Sequence, residues 1–281
     1  MREFIGQTFA EERALYGIKD ALVRDCQFAG LADGESALKE CSNVQVRNCH
    51  FALRYPLWHL HAGSMEECSM SETCRAALWY ASQVKIQRCK LHGIKVVREC
   101  DQVELEDCDI DSSEFAWMCR DLNMRSCQLK SEYPFLQCQR LNLQGLTMKA
   151  KYSFQYVSES QLSDCQLDTK DAFWHANNIT VKDSLLKGEY LAWYSQNLTL
   201  INCKIIGTQP LCYCRNLKLI DCQMEDCDLA FENSEVEATI TGHITSIKQP
   251  AAGSIVADSI GDVITEQALP SCKKCNITCR Q

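Results

Sequence analysis

Four titratable residues fall close together once the internal repeat of the chain is laid out: Lys170, Asp171, His175 and Glu189. A histidine or lysine base beside carboxylates is what a polysaccharide lyase or glycoside hydrolase needs, one group taking a proton while another neutralises a substrate carboxylate or protonates a leaving oxygen. On this chain the catalytic alternative has His175 or Lys170 as base and Asp171 and Glu189 as acid partners or cation ligands. Long repetitive surfaces also display charges in rows, and a histidine between tyrosines is more often structural. A second candidate closes the chain, where Cys272-Lys-Lys-Cys275-Asn-Ile-Thr-Cys279 begins with a spacing that suits zinc. A closed tetrahedral site takes four ligands, so these three cysteines need His243 or Cys227 as a fourth; free thiols on a cap are the simpler reading. Cys212 and Cys214 have no histidine and carboxylate arranged to activate them, and Cys212 is expected to be the more exposed. The glycines are scattered, with Gly188 and Gly207 at equivalent bends, and form no phosphate loop.

These residues are positioned by a repeat. Cys89, Cys108, Cys127, Cys165, Cys203 and Cys222 share one nineteen-residue grid, Leu146 and Ser184 fill its vacant places, and Cys68, Cys49 and Cys26 extend it upstream at intervals of 21, 19 and 23. A fixed period of this length marks a solenoid. Counting from each grid cysteine, apolar residues recur five and three places before it (Val103 and Leu105, Leu198 and Leu200) and two after it (Ile110, Leu129, Ile205). Two further columns lie eleven before it (Leu78, Val97, Phe154, Phe173, Leu211) and eight before it (Cys100, Cys119, Cys138, Val157). A local spacing of two means strand, with these side chains on one face.

The pattern predicts an all-β fold: a right-handed parallel β-helix of about nineteen residues per coil, about eleven coils, three short strands in each, and capped ends. Nineteen is not a multiple of six, and the inward steps do not recur every five, so hexapeptide and pentapeptide solenoids are set aside. Residues 1–20 are expected as an N-terminal cap, 21–264 as the helix and 265–281 as a cysteine-containing tail. The regularity fades after Cys222, leaving degenerate coils around Val236, Ala238 and Thr241 and around Ile255, Ala257 and Ile260.

An aromatic ladder lies outside this core. All five tryptophans, Trp58, Trp79, Trp117, Trp174 and Trp193, stand ten places before the anchor, and His59, Tyr80, Tyr156, His175, Tyr194 and Tyr213 stand nine before it. Loop positions just upstream add Lys151, Tyr152 and Tyr190. An exposed aromatic stripe marks a binding groove or a contact: rings stack on sugar faces in a groove for an extended ligand, and they also fill contacts with a cap, a second copy or another protein.

Composition narrows the partners. A net charge of −8 and a pI near 5.3 do not provide the concentrated positive field that nucleic acid or an anionic membrane surface requires. The opening residues do not resemble a signal peptide, no window approaches a spanning helix, and the cytoplasm is the expected address. Twenty cysteines at repeat-equivalent places read as small buried thiols rather than a disulfide scaffold.

The segments Arg75-Ala-Ala-Leu-Trp-Tyr, Lys151-Tyr-Ser-Phe-Gln-Tyr, Thr169-Lys-Asp-Ala-Phe-Trp-His, Gly188-Glu-Tyr-Leu-Ala-Trp-Tyr-Ser and Thr208-Gln-Pro-Leu-Cys-Tyr-Cys resemble an uncharacterised bacterial family of single-domain β-helices. The resemblance implies a pectin-lyase-like right-handed β-helix and brings no activity with it. The expected function is therefore a binding or assembly module that contacts an extended, carbohydrate-like ligand or a protein through the aromatic ladder. No cofactor is expected beyond zinc at the tail, and a homo-oligomer is compatible with the pattern.

Overall fold

A computed structural model describes residues 1–31, 35–265 and 274–280. These residues form a right-handed parallel β-solenoid of about 14 coils without a helix. The chain divides into two compact units, Met1–Asn142 and Leu143–Gln281.

In the first unit the repeat becomes strand register. Val84 pairs with Val103 and Val103 with Leu122, each one coil on; Leu91 pairs with Ile110 and Ile110 with Leu129. Coils of other lengths keep the same stacking, as in Lys85 with Ser64 and Ala21 with Val44. Extra residues are therefore absorbed at corners while the strands stay aligned. Residues 2–9 are part of the same ladder: Arg2–Ile5 pairs with Lys19–Arg24, and Thr8–Phe9 with Gln27–Phe28. The segment expected as a cap thus carries a coil of its own, and Phe9, Phe28 and Phe51 stack at 5.1 and 4.7 Å between centroids.

The second unit repeats the scheme. Ile179 pairs with Leu198, Val181 with Leu200 and Leu200 with Leu219. The grid fades after Cys222 for a local reason: a bulge between Leu219 and Cys222 shifts the register, so Ile240 rather than Thr241 turns inward, and the next step shortens to Glu235 beside Ala252. Cys275–Cys279, in the segment expected as an irregular tail, is a strand paired in parallel with Ala252–Ala257. Coils beyond the cysteine grid account for the larger coil number: residues 2–9 keep the nineteen-residue step but carry Gln7 at the anchor place, and the coils after Cys222 change length.

All the inward columns are buried, and each large apolar side chain there contributes roughly 1.5–3 kcal/mol if fully removed from water. The grid position takes a buried side chain, Leu146 included, and where it is cysteine or serine the group donates to a backbone oxygen. Cys108 Sγ donates to Glu106 O at 3.3 Å, and Ser184 Oγ donates to Lys182 O at 2.6 Å in the equivalent place.

Corners are made by residues in the left-handed region, which asparagine and aspartate tolerate best. Asp107, Asp164, Asp183 and Asn202 have φ between 49 and 55° one place before the anchor. A second corner carries an amide ladder, Asn197 Nδ2 donating to Asn178 Oδ1 at 2.7 Å and Asn216 Nδ2 to Asn197 Oδ1 at 2.8 Å. Within the regular nineteen-residue coils of the described residues, the expected third strand forms at Leu78–Trp79 and Val97–Arg98. Elsewhere that segment is a tight turn, because residues such as Phe154 and Tyr156 adopt φ of 59 and 57°.

Candidate functional site

In the first unit, Trp58, Trp79 and Trp117 are half-buried and already hold partners from their own chain. Lys39 Nζ lies 4.0 Å from the Trp58 ring centroid, the Trp58 and Trp79 rings are 5.7 Å apart, and the Arg98 guanidinium sits 5.3 Å from Trp79 and 5.5 Å from Trp117. The column runs cation, two rings, cation, ring, and each exposed cation–ring pair is worth about 0.5–1 kcal/mol. Lys39 and Arg98 stand ten places before their own anchors, so repeat position alone locates them; a search restricted to aromatic residues passes over them. Trp117 Nε1 also donates to Tyr133 O at 2.6 Å. These three tryptophans brace coils, and their ring faces are occupied by neighbouring rings and cations.

His59 and Tyr80 are exposed in the first unit, 5.1 Å apart and tilted, and the second unit carries the longer exposed stack. Tyr156, His175, Tyr194 and Tyr213 stack in order, with centroids 5.1, 5.1 and 4.9 Å apart and interplanar angles of 3, 9 and 13°. Strand spacing of about 4.8 Å places one ring over the next. All four residues have φ between 52 and 61°, unusual for bulky side chains, and stacking is one of the contacts that offset such strain. Tyr156 is 51% exposed and Tyr194 42%. Trp174 and Trp193 stack beside them at 5.8 Å, half-buried, and each indole N–H donates to the backbone one coil on, Tyr190 O at 3.3 Å and Gln209 O at 2.8 Å. Tyr190 meets Trp193 edge-on at 5.5 Å. At the far end Glu232, paired with Lys248 at 3.1 Å, lies by Tyr213; burial first and then the Glu232 charge push that phenol up.

Lys151 and Tyr152 are exposed on the neighbouring corner, where Lys151 pairs in register with Lys170. Lys170 Nζ lies 5.9 Å from the Tyr152 ring centroid and 3.9 Å from Asp171 Oδ2. Burial holds the Asp171 carboxyl above the usual carboxylate range, with Lys170 opposing and Glu189 adding to the shift. The fold thus gathers Lys170, Asp171 and Glu189. His175 is held apart in function: both its faces lie against tyrosines, and among the described residues no hydrogen bond or ion pair joins it to Asp171, Glu189 or Lys170.

The thiols are structural. All described cysteines are free, and all but Cys275 and Cys279 are buried. Cys212, expected to be exposed at a tryptophan position, is fully buried beneath Gln209 and Leu229, and burial pushes its thiol up to about 12, as it does for Cys214. Of the tail cysteines, Cys272 lies outside the described residues. Cys275 and Cys279 share one strand four residues apart, about 13 Å at strand rise, too far to ligate one zinc ion whose Zn–S bonds are about 2.3 Å. No group of three potential ligands is gathered for a metal among the described residues, and no helix there is long and apolar enough to cross a membrane.

A family model described as a protein of unknown function (DUF3737) matches residues 2–278. No curated protein matches the sequence. Among solved structures, PfbA, a surface adhesin of Streptococcus pneumoniae, is similar at 8% identity over 77% of this chain and 71% of that one, with a TM-score of 0.39. The A-module of the Azotobacter vinelandii mannuronan C-5 epimerase AlgE4 is 8% identical over 99% of this chain and 89% of that one, with a TM-score of 0.30. At these identities and TM-scores neither says what this chain binds.

Proposed function

Because the chain belongs to DUF3737, a family of unknown function, its own surface supplies the reading, and we propose a non-enzymatic docking module that holds a protein partner against the tyrosine strip of its second unit. One observation carries this: the rings from Tyr156 to Tyr213 spend their faces on one another, at 4.9–5.1 Å, while Tyr156 and Tyr194 stay exposed. A sugar that stacks on aromatic rings needs free faces. A protein surface takes ring edges, hydroxyls and a mixed-charge rim, which Lys151, Lys170 and Glu189 supply. Stacking also fixes the tyrosine rotamers before binding, so less side-chain entropy is lost on association. The proposed address is the cytoplasm, whose reducing conditions suit free thiols.

The test places a photo-crosslinking phenylalanine at Tyr156, at Tyr194 and, on a different face of the same unit, at Lys182. Light-dependent attachment in cells to one protein of discrete mass from the first two positions, and not from Lys182, supports the proposal. Attachment equal at all three positions overturns it. So does tryptophan quenching of the purified chain by a polysaccharide, or its release of unsaturated or reducing ends from one.

A further inference from the structure

The strand Cys275–Cys279 has one described neighbour, Ala252–Ala257. The Arg280 N–H donates to Ala257 O at 2.8 Å. Backbone groups alternate sides along a strand, so those of Asn276, Thr278 and Arg280 face that neighbour. The N–H and C=O groups of Cys275, Ile277 and Cys279 face the other way, where no strand among the described residues pairs with them. Natural edges are usually blunted by charge, proline or a bulge. The sequence CNITC has none of these. The opening strand REFI of the first unit, by contrast, carries Arg2 and Glu3, with the Arg2 guanidinium 5.3 Å from the Phe4 ring centroid.

Side chains on this strand point the same way. In register, Cys275 lies beside Gly253, Ile277 beside Ile255 and Cys279 beside Ala257. Ile255 and Ala257 are fully buried inward residues, whereas Cys275 and Ile277 are half-buried and Cys279 is exposed. Ile277, the last described residue of this inward apolar column, is half-covered, the situation solenoids resolve with a cap or an added coil.

The strand is also symmetric about its centre. A twofold axis normal to the sheet and midway between the two copies of Ile277 sets the strand antiparallel to its own copy and opposes Ile277 to Ile277, Cys275 to Cys279 and Cys279 to Cys275. Each pair then exchanges both outward hydrogen bonds, and the inward columns of the two copies lie on one side of the joined sheet. We propose that this edge docks a second copy of the chain in that register, forming a closed isologous dimer.

Opposed residues in such a hydrogen-bonded pair sit about 5.5 Å apart at Cα, within the roughly 4.4–6.8 Å that a disulfide spans, so oxidation can trap the register. In a Cys272→Ser variant, diamide takes up the two electrons and two protons released as two thiols join. Peptide mapping is expected to find Cys275 linked to Cys279 between chains, and light scattering to find a dimer. Ile277→Pro removes an outward donor at the axis and leaves the bonds to Ala252–Ala257, so it is expected to shift the protein to monomer. A monomer at every accessible concentration overturns the inference, as do Cys275–Cys275 and Cys279–Cys279 links, or a dimer that persists in Ile277→Pro without the Cys275–Cys279 link. Tyr156→Ala with Tyr194→Ala leaves the dimer intact, which separates this edge from the tyrosine strip.

Discussion

Replacing Phe173 with alanine opens a void inside the second unit at a site where little can collapse into it. Phe173 is 1% exposed and stacks on Phe154 at 4.6 Å and 7°, and the equivalent residue one coil on is Ala192, itself fully buried. The deleted ring therefore leaves Phe154 facing a small residue two coils away, both in tight left-handed turns. A buried phenylalanine replaced in this way costs about 3–5 kcal/mol, and at roughly 2–4 °C per kcal/mol for a chain of this size the melting point falls by about 10 °C. Urea titration followed through Trp174 and Trp193 emission and through circular dichroism reads the change, with coincident transitions required. Thr180→Ala, at an outward-facing strand position, is the control and stays within about 0.5 kcal/mol. A loss under about 1 kcal/mol for Phe173→Ala, with coincident transitions, refutes the inward assignment of the column.

Gly207 has φ of 134°, and a Cβ there would lie 2.3 Å from Gly188 O, so Gly207→Ala costs on the order of 1–3 kcal/mol; Gly242→Ala, whose Cβ meets nothing within 4 Å, costs less, and equal melting points would contradict the close stacking of these bends. Since burial raises the Asp171 carboxyl, its neutral form is favoured in the fold: the benefit is complete below the ordinary carboxylate pKa and is lost as pH rises through the raised value. Asp171→Asn should then melt higher than the parent at pH 7 and match it below about pH 4, and a lower melting point at pH 7 would contradict the assignment. Aromatic disulfide reagents should reach only tail thiols in the native protein and all twenty cysteines after urea; rapid reaction that survives Cys272→Ser, Cys275→Ser and Cys279→Ser together would show the columns are open.

The core was legible because its spacing is a packing requirement. Every coil must offer residues such as Val103, Leu105 and Ile110 at fixed places, or the ladder above loses its partner. The corners were less legible. Phe154 in a left-handed turn looks like a strand residue by composition, since backbone sign leaves no trace in hydrophobicity. The first coil was less legible for a different reason: Phe4 and Phe9 lie nineteen residues before Val23 and Phe28, but Gln7 rather than a cysteine stands at the anchor place, so the cysteine grid passes over them. For the aromatic face, the columns were legible and the state of the rings was not. Lys39 and Arg98 occupy ring faces in the first unit, and the second unit's rings occupy one another's, outcomes set by which residue follows one coil later. The polar quartet divides likewise: Lys170, Asp171 and Glu189 meet at a corner, and His175 belongs to the stack.

The central claim is that Tyr194 and Tyr156 act as docking groups beyond their part in the ladder, and the affinity of the crosslinked partner for Tyr156→Ala and Tyr194→Ala tests it most directly. Loss of two stacking contacts at Tyr194 lowers stability by about 1–3 kcal/mol in either case. As central interface residues they should each also weaken binding by at least about 2 kcal/mol, roughly thirtyfold in Kd, at a temperature where circular dichroism shows both variants folded. Unchanged affinity alongside the expected loss of stability would contradict the account and leave the stack a purely structural ladder.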